Sequence, residues 1–167
     1  MLQTNFLNKI FSNPLILASG ILGLTAASMR RAVLNGAGGV TAKSVSLEPR
    51  PGHPSPVIIV KENYILNAVG LSNPGAAEAI EEFTKFKQLC AAPRIASIFG
   101  GAPDEFGALA EKISTAPIDF LELNLSCPNV SQEFGRPFAF STEAVTVITK
   151  KVKEKTKIPL IITLSPN

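Results

Sequence analysis

Phe120-Leu121-Glu122-Leu123-Asn124-Leu125-Ser126-Cys127-Pro128-Asn129 is the stretch on which the reading of this chain turns. Its first half is an apolar, strand-like run, and its second half sets a thiol between two carboxamides, Asn124 and Asn129. A strand that passes at its C-terminal end straight into reactive and hydrogen-bonding side chains is the pattern of an α/β enzyme, whose sheet supports and whose strand ends act. Cys127 can exchange a proton, and each carboxamide offers donors and an acceptor to a flat, polar ligand. Two further segments have the same character, Thr41-Ala42-Lys43-Ser44-Val45-Ser46 and Asn67-Ala68-Val69-Gly70-Leu71-Ser72-Asn73-Pro74-Gly75. Both fall at expected strand ends or in loops.

Outward from that stretch, five apolar runs read as strands: Leu15 to Ser19, Gly39 to Lys43, Arg94 to Phe99, Phe120 to Leu125 and Leu160 to Leu164. Helical patterns separate them. The first covers about Thr25 to Asn35 and stops at Gly36; the second opens at Asn73-Pro74, with Asn73 as its cap, and carries Ala76, Ala79, Ile80, Phe83 and Phe86 at helical spacing. Pro103 with Asp104 and Glu105 opens a third, where acidic residues suit a helix N-terminus. Ser141 or Thr142 with Glu143 opens a fourth, with Val145, Ile148 and Val152 as its apolar stripe. Between Val45 and Asn67, four prolines and the short run Val57 to Val60 indicate a loop carrying a small hairpin over one end of the sheet.

Continuous apolar strands alternating with helices imply a parallel sheet with right-handed crossovers. A doubly wound nucleotide-binding sheet would carry a glycine-rich turn of GxGxxG spacing after its first strand, and Ser19-Gly20-Ile21-Leu22-Gly23 lacks that spacing. In a TIM (β/α)₈ barrel the functional groups stand at strand C-terminal ends, where Ser19, Lys43, Asn124 and Cys127 fall. The expected fold class is therefore α/β, a TIM barrel. Eight βα units take about 250 residues, so residues 1–167 are expected to supply the first five strands, as the N-terminal portion of a single barrel domain.

The composition, 46% hydrophobic and 17% charged with a net charge of +3, describes a globular protein with one core. The five lysines between Lys150 and Lys157 lie within a helical pattern interrupted by Glu154 and read as a solvated helix face, so no nucleic-acid partner is expected. Two cysteines and one histidine are too few for a structural zinc site. No apolar run approaches the roughly 18 residues of a spanning helix, and the first ten residues lack signal-peptide features, so a cytoplasmic location is expected. Cys90 closes an amphipathic stretch and is expected to be packing, and His53, among four prolines, an exposed or packing residue.

Taken together, Ala18-Ser19-Gly20, Thr41 to Ser44, Glu48 to Pro56, Asn67 to Gly75 and Asn124 to Asn129 resemble dihydroorotate dehydrogenase, in particular its soluble class 1 enzymes and, within them, class 1B. The resemblance implies a barrel with FMN as cofactor that oxidises dihydroorotate to orotate in pyrimidine biosynthesis. It makes Cys127 the catalytic base and Ser19, Lys43, Ser44 and Asn124 the FMN-binding residues. Substrate binding is implied for Lys43, Asn67, Ala68, Val69, Gly70, Leu71, Asn124 and Asn129. It further implies a homo-oligomer at full length and, as electron acceptor, either fumarate or NAD reached through an iron–sulfur flavoprotein partner subunit. Read alone, each asparagine is more often a turn former or cap, and Lys43 a lysine extending from a strand end.

Three departures from the family pattern stand out. Thr163 occupies the place of a flavin-contacting lysine before Leu164-Ser165-Pro166-Asn167, and it can hydrogen-bond but supplies no charge. Ser97 stands where an asparagine often contacts FMN. The phosphate-binding loops that barrels place after strands seven and eight are expected outside these residues. The alternatives are a non-catalytic or truncated flavin-binding relative, or a related pyrimidine-reducing flavoprotein.

Overall fold

Which way each strand residue points explains both the packing and the opening of this fold. The computed structural model describes residues 2–20, 22–127 and 136–164. In chain order the strands are β1 (Thr4–Phe6), β2 (Lys9–Phe11), β3 (Ile16–Leu17), β4 (Gly39–Thr41), β5 (Ile58–Val60), β6 (Ile65–Asn67), β7 (Arg94–Ile98), β8 (Phe120–Asn124) and β9 (Leu160–Thr163). The helices are α1 (Ala26–Leu34), α2 (Ala76–Leu89), α3 (Pro103–Ile113) and α4 (Thr142–Lys155).

β3, β4, β7, β8 and β9 form one sheet in that order, each pair parallel. A doubly wound sheet reverses strand order at a switch point and covers both faces with helices. Here the order never reverses, so right-handed crossovers put every connecting helix on the same face, as in a barrel wall. The five strands expected from the sequence are all present, each shorter at one or both ends.

Register then sorts the side chains. Ile95 lies opposite Phe120, Ser97 opposite Glu122, Glu122 opposite Ile161 and Asn124 opposite Thr163, so these share one face. The alternate residues Val40, Ala42, Ala96, Ile98, Leu121 and Leu123 belong to a single core with Met29, Phe83, Phe86, Phe106, Ile148 and Val152 of the helices. That is the outer face, and its burial under four amphipathic helices supplies most of the apolar stabilisation. Thr25 caps α1 through a capping box with Ser28, and Ser141 Oγ caps α4 by accepting from the Ala144 amide at 3.2 Å.

The inner face is layered. At its N-terminal end Phe11, Ile95 and Phe120 form a separate apolar cluster, with Ile161 packed against it. Phe11 arrives on the β1–β2 hairpin, which the sequence reading did not anticipate. Its two turn residues, Leu7 and Asn8, have φ of 44° and 65°, the conformation of a tight hairpin turn usually signalled by glycine. Gly39 admits the plug, because a Cβ there would stand 2.6 Å from the Phe11 ring.

One expected cap is corrected. α2 begins at Ala76 with Gly75 as N-cap, and Asn73 lies outside the helix. The Asn73 backbone instead pairs with Arg50, while its buried carboxamide accepts from the Ser46 and Gly75 amides and donates to Leu71 O at 2.8 Å. A residue held in a bridge on both backbone groups cannot also open a helix. Among the described residues no helix is long and apolar enough to cross a membrane.

The hairpin is latched to the barrel wall by Asp119, which lies 2.7 Å from Lys9 Nζ and 3.2 Å from Arg94 Nη2 and accepts from the Arg94 amide at 2.9 Å. Burial would raise the Asp119 pKa, but the Lys9 and Arg94 hydrogen bonds and charges outweigh it and hold the carboxyl below its usual value. A depressed folded-state pKa contributes stability above the unfolded value of about 3.9 that is lost as pH falls through the lower folded value. Asp119→Asn should therefore lower the urea midpoint at neutral pH and have much less effect at about pH 2. An equal loss at both pH values would show that the carboxylate charge does not hold this latch.

Candidate functional site

Above the apolar plug, the inner face turns polar. Thr41 is followed two residues later by Lys43, Ser97 sits beside Glu122, and Asn124 beside Thr163. These strand ends, the turn after β3 and the β5–β6 hairpin enclose a cleft of about 640 Å³. Ser19, Lys43, Ser44, Asn67, Val69, Leu71, Asn124 and Cys127 all line it. Residues separated by more than a hundred positions in the chain thus meet on one wall because their strands are sequential neighbours.

Two sequence-selected residues do not line the cleft. Ala68 is exposed, with its amide donating to Val57 O, and Gly70 is buried with its carbonyl accepting from Arg50 Nε at 2.8 Å. Asn129 lies outside the described residues. Gly70 and Leu71 both have left-handed backbone, with φ of 72° and 56°. Glycine at 70 is required twice over, since a Cβ would also lie 2.7 Å from His53. Leu71 carries a cost of roughly 1 kcal/mol for that conformation, offset by the Asn73 and Arg50 bonds to the two carbonyls. His53 is half-buried and lies against Gly70.

The hairpin borders the cleft. Ile58 pairs with Asn67 and Val60 with Ile65, and Val57, Ile58, Ile65 and Asn67 line the cleft. Its strand residues are largely apolar and exposed, so it adds an apolar rim beside the polar strand ends.

Among the described residues of the cleft wall, Lys43 is the only cation and Glu122 the only carboxylate. Burial pushes the Lys43 ammonium below the ordinary lysine value, while the charge of Cys127 acts in the opposite sense. Cys127 is half-buried and unbridged.

A hydroxyl network underlies the wall. Ser44, 1% exposed, has its Oγ 2.9 Å from Ser19 Oγ, 2.8 Å from Ser97 Oγ and 3.0 Å from the donating Asn124 Nδ2. Ser97 in turn donates to Glu122 Oε1 at 2.6 Å. Ser97, which stands where the family often has an FMN-contacting asparagine, is itself 1% exposed and, through its hydrogen bonds to Ser44 and Glu122, lies behind the cleft wall. Glu122 was missed in the sequence reading, although the polar residues of Phe120-Leu121-Glu122-Leu123-Asn124 recur with a period of two. Thr163 lines the cleft beside Asn124 and leaves that position uncharged. No group of three His, Cys, Asp or Glu side chains among the described residues is placed to hold a metal ion.

Comparison with known proteins adds a second line of observation. The family model described as Dihydroorotate dehydrogenase matches residues 1–167. The catalytic subunit of dihydroorotate dehydrogenase B (NAD(+)) of Pyrococcus abyssi is 45% identical over 167 residues, which is 100% of this chain and 54% of that protein. The protein of the same name from Methanocaldococcus jannaschii is 39% identical over 170 residues, 100% of this chain and 55% of its own length. That of Methanosarcina mazei is 41% identical over 156 residues, 93% of this chain and 49% of its own. The chain spans about half the length of the curated relatives it matches.

Ser44 is the hub on which three side chains converge, so Ser44→Ala leaves buried partners unsatisfied. The expected cost is about 1–3 kcal/mol of folding stability, measured by urea unfolding. A loss under about 0.5 kcal/mol would show that the network reorganises without its hub.

Proposed function

Because this chain belongs to the dihydroorotate dehydrogenase family, we propose that it carries the base-bearing side of an FMN-dependent site that oxidises dihydroorotate to orotate in pyrimidine biosynthesis. The observation that supports this best is the meeting of Cys127, Lys43, Asn67 and Asn124 on one cleft. Residues 1–167 are proposed to be the N-terminal part of a single barrel domain. In support, β3 and β9 each pair on one side only among the described strands, and the relatives are about twice as long.

The cleft suits a flavin and a pyrimidine together. Its volume lies in the small-molecule range, and its walls combine apolar hairpin side chains with a few hydroxyl, amide and charged groups. Ser19, Lys43 and Asn124 are the residues that would hold the cofactor, and Ser44, buried behind them, would contribute by fixing Ser19 and Asn124 in place. FMN, when bound, supplies the hydride acceptor that protein side chains lack.

The remaining work belongs to the chain. Asn67 and Asn124 can pair with the ring amides of the substrate, Val69 and Leu71 shape its pocket, and Gly70 and Ala68 position that loop. Asn129 joins them by resemblance. The Cys127 thiolate takes a proton from one ring carbon, forming its S–H bond. The electron pair released closes the ring double bond as hydride departs from the adjacent carbon. Lys43 puts positive charge where the site gathers electrons, and its partial burial strengthens that interaction.

The names of the relatives, catalytic subunits of an NAD(+) enzyme, favour this reaction over pyrimidine reduction. They support a partner subunit, proposed to be an iron–sulfur flavoprotein that passes the electrons to NAD in the cytoplasm.

In the full-length protein with FMN, Cys127→Ala should slow flavin reduction by dihydroorotate about 10²-fold or more while FMN stays bound. Cys127→Ser should retain part of the rate, with its pH profile moved upward, because a hydroxyl loses its proton less readily than a thiol. An unchanged single-turnover rate in the alanine variant would remove Cys127 from the mechanism.

A further inference from the structure

The hydroxyl network has a direction, and that direction ends on Glu122. A carboxylate accepts hydrogen bonds and cannot donate them, and each serine hydroxyl has one proton. Ser97 uses its proton on Glu122 at 2.6 Å. In the 2.8 Å contact between Ser97 and Ser44, Ser44 must then be the donor. With that proton committed, Ser44 can only accept from its other two side-chain neighbours. Ser19 therefore donates across their 2.9 Å contact, and Asn124 presents Nδ2 rather than Oδ1 at 3.0 Å. Ser19 Oγ remains free to accept from the Ser44 amide, which it does at 3.1 Å.

The consequence falls on Asn124. A carboxamide can sit either way round with nearly the same shape, and only its partners decide which atom faces which neighbour. With Nδ2 tied to Ser44, Oδ1 has one long contact among the described residues, from Ser126 Oγ at 3.4 Å. The oxygen is thus available as an acceptor for a ligand N–H. We propose that Glu122 is a positioning residue that acts through Ser97 and Ser44 to lock the Asn124 carboxamide, so that the site selects a ligand presenting ring N–H groups. This rests on the reading of the cleft as a pyrimidine and flavin site for the identity of the ligand, but not for the orientation of Asn124.

Replacing Glu122 by glutamine removes the reason for the direction. The new side-chain amide can donate to Ser97, whose proton then turns to Ser44, whose own proton can turn to Asn124 and draw Oδ1 away from the cleft. Ser97→Ala cuts the same chain without touching the cleft wall. Because Glu122 itself lines the cleft, a direct effect of its charge must be separated from the effect carried by the serines, and a double-mutant cycle does so.

Orotate binding would be measured by perturbation of the flavin spectrum in full-length, FMN-loaded wild type, Glu122→Gln, Ser97→Ala and the double variant. Each single change should weaken binding about 10-fold, the equivalent of one lost hydrogen bond, and the double variant should be no weaker than either. Wild-type affinity in Glu122→Gln, or an undiminished effect of Glu122→Gln in the Ser97→Ala background, would overturn the proposal.

A second readout needs no substrate. In the apoprotein, one Asn124 side-chain N–H proton should exchange slowly by NMR in wild type and rapidly in both single variants. Equal exchange in all three would overturn the proposal even if orotate binds. Failure of orotate to bind wild type, with the exchange difference present, would count against the proposed substrate and leave the positioning role standing.

Discussion

Everything in this structure depends on the two-residue period of a parallel strand laid between neighbours in chain order. One set of side chains points to the helices and the alternate set to the barrel interior. Val40, Ala96, Ile98, Leu121 and Leu123 are fully or almost fully buried on the outer side, and that burial fixes the register. Slipping one strand by one residue would put Glu122 among the helices and Leu123 in the cleft, at the cost of a buried charge and an exposed leucine. The apolar outer face therefore also aims the polar inner one, and the site inherits its geometry from the core.

The inner face divides into two regions because its two ends face different surroundings. At the N-terminal end, Phe11 closes against Phe120, with ring centres 6.1 Å apart, and the plug needs no polar group. At the C-terminal end the strands give way to loops, and side chains there must either reach solvent or satisfy one another. Glu122 is the clearest case. A half-buried carboxylate without an ion-pair partner among the described residues is costly, and its short bond from Ser97 answers that cost. The serine chain is both how the fold accommodates Glu122 and how Glu122 reaches Asn124.

Much of this was legible beforehand, and the reasons differ by element. Long amphipathic helices and apolar strands declare themselves by period, so the alternation of strands and helices and the barrel class could be read directly. The positions of Ser19, Lys43, Asn124 and Cys127 at strand ends followed from it. The first hairpin was hidden because Leu7-Asn8 adopts a left-handed turn without the glycine that normally announces one. Asn73-Pro74 carries the local signal of a helix cap, whereas the bridge from Asn73 to Arg50 is a long-range contact that no local pattern contains. Glu122 and Ser97 were visible as residues but not as partners, since only the pairing of β7 with β8 sets them side by side.

The most direct measurement is an anaerobic titration of the full-length wild-type protein, reconstituted with FMN, against dihydroorotate. The account predicts that the oxidised flavin band is bleached stoichiometrically and that orotate appears in equal amount. A protein that binds FMN with an intact fold yet keeps its flavin oxidised in excess dihydroorotate would contradict it.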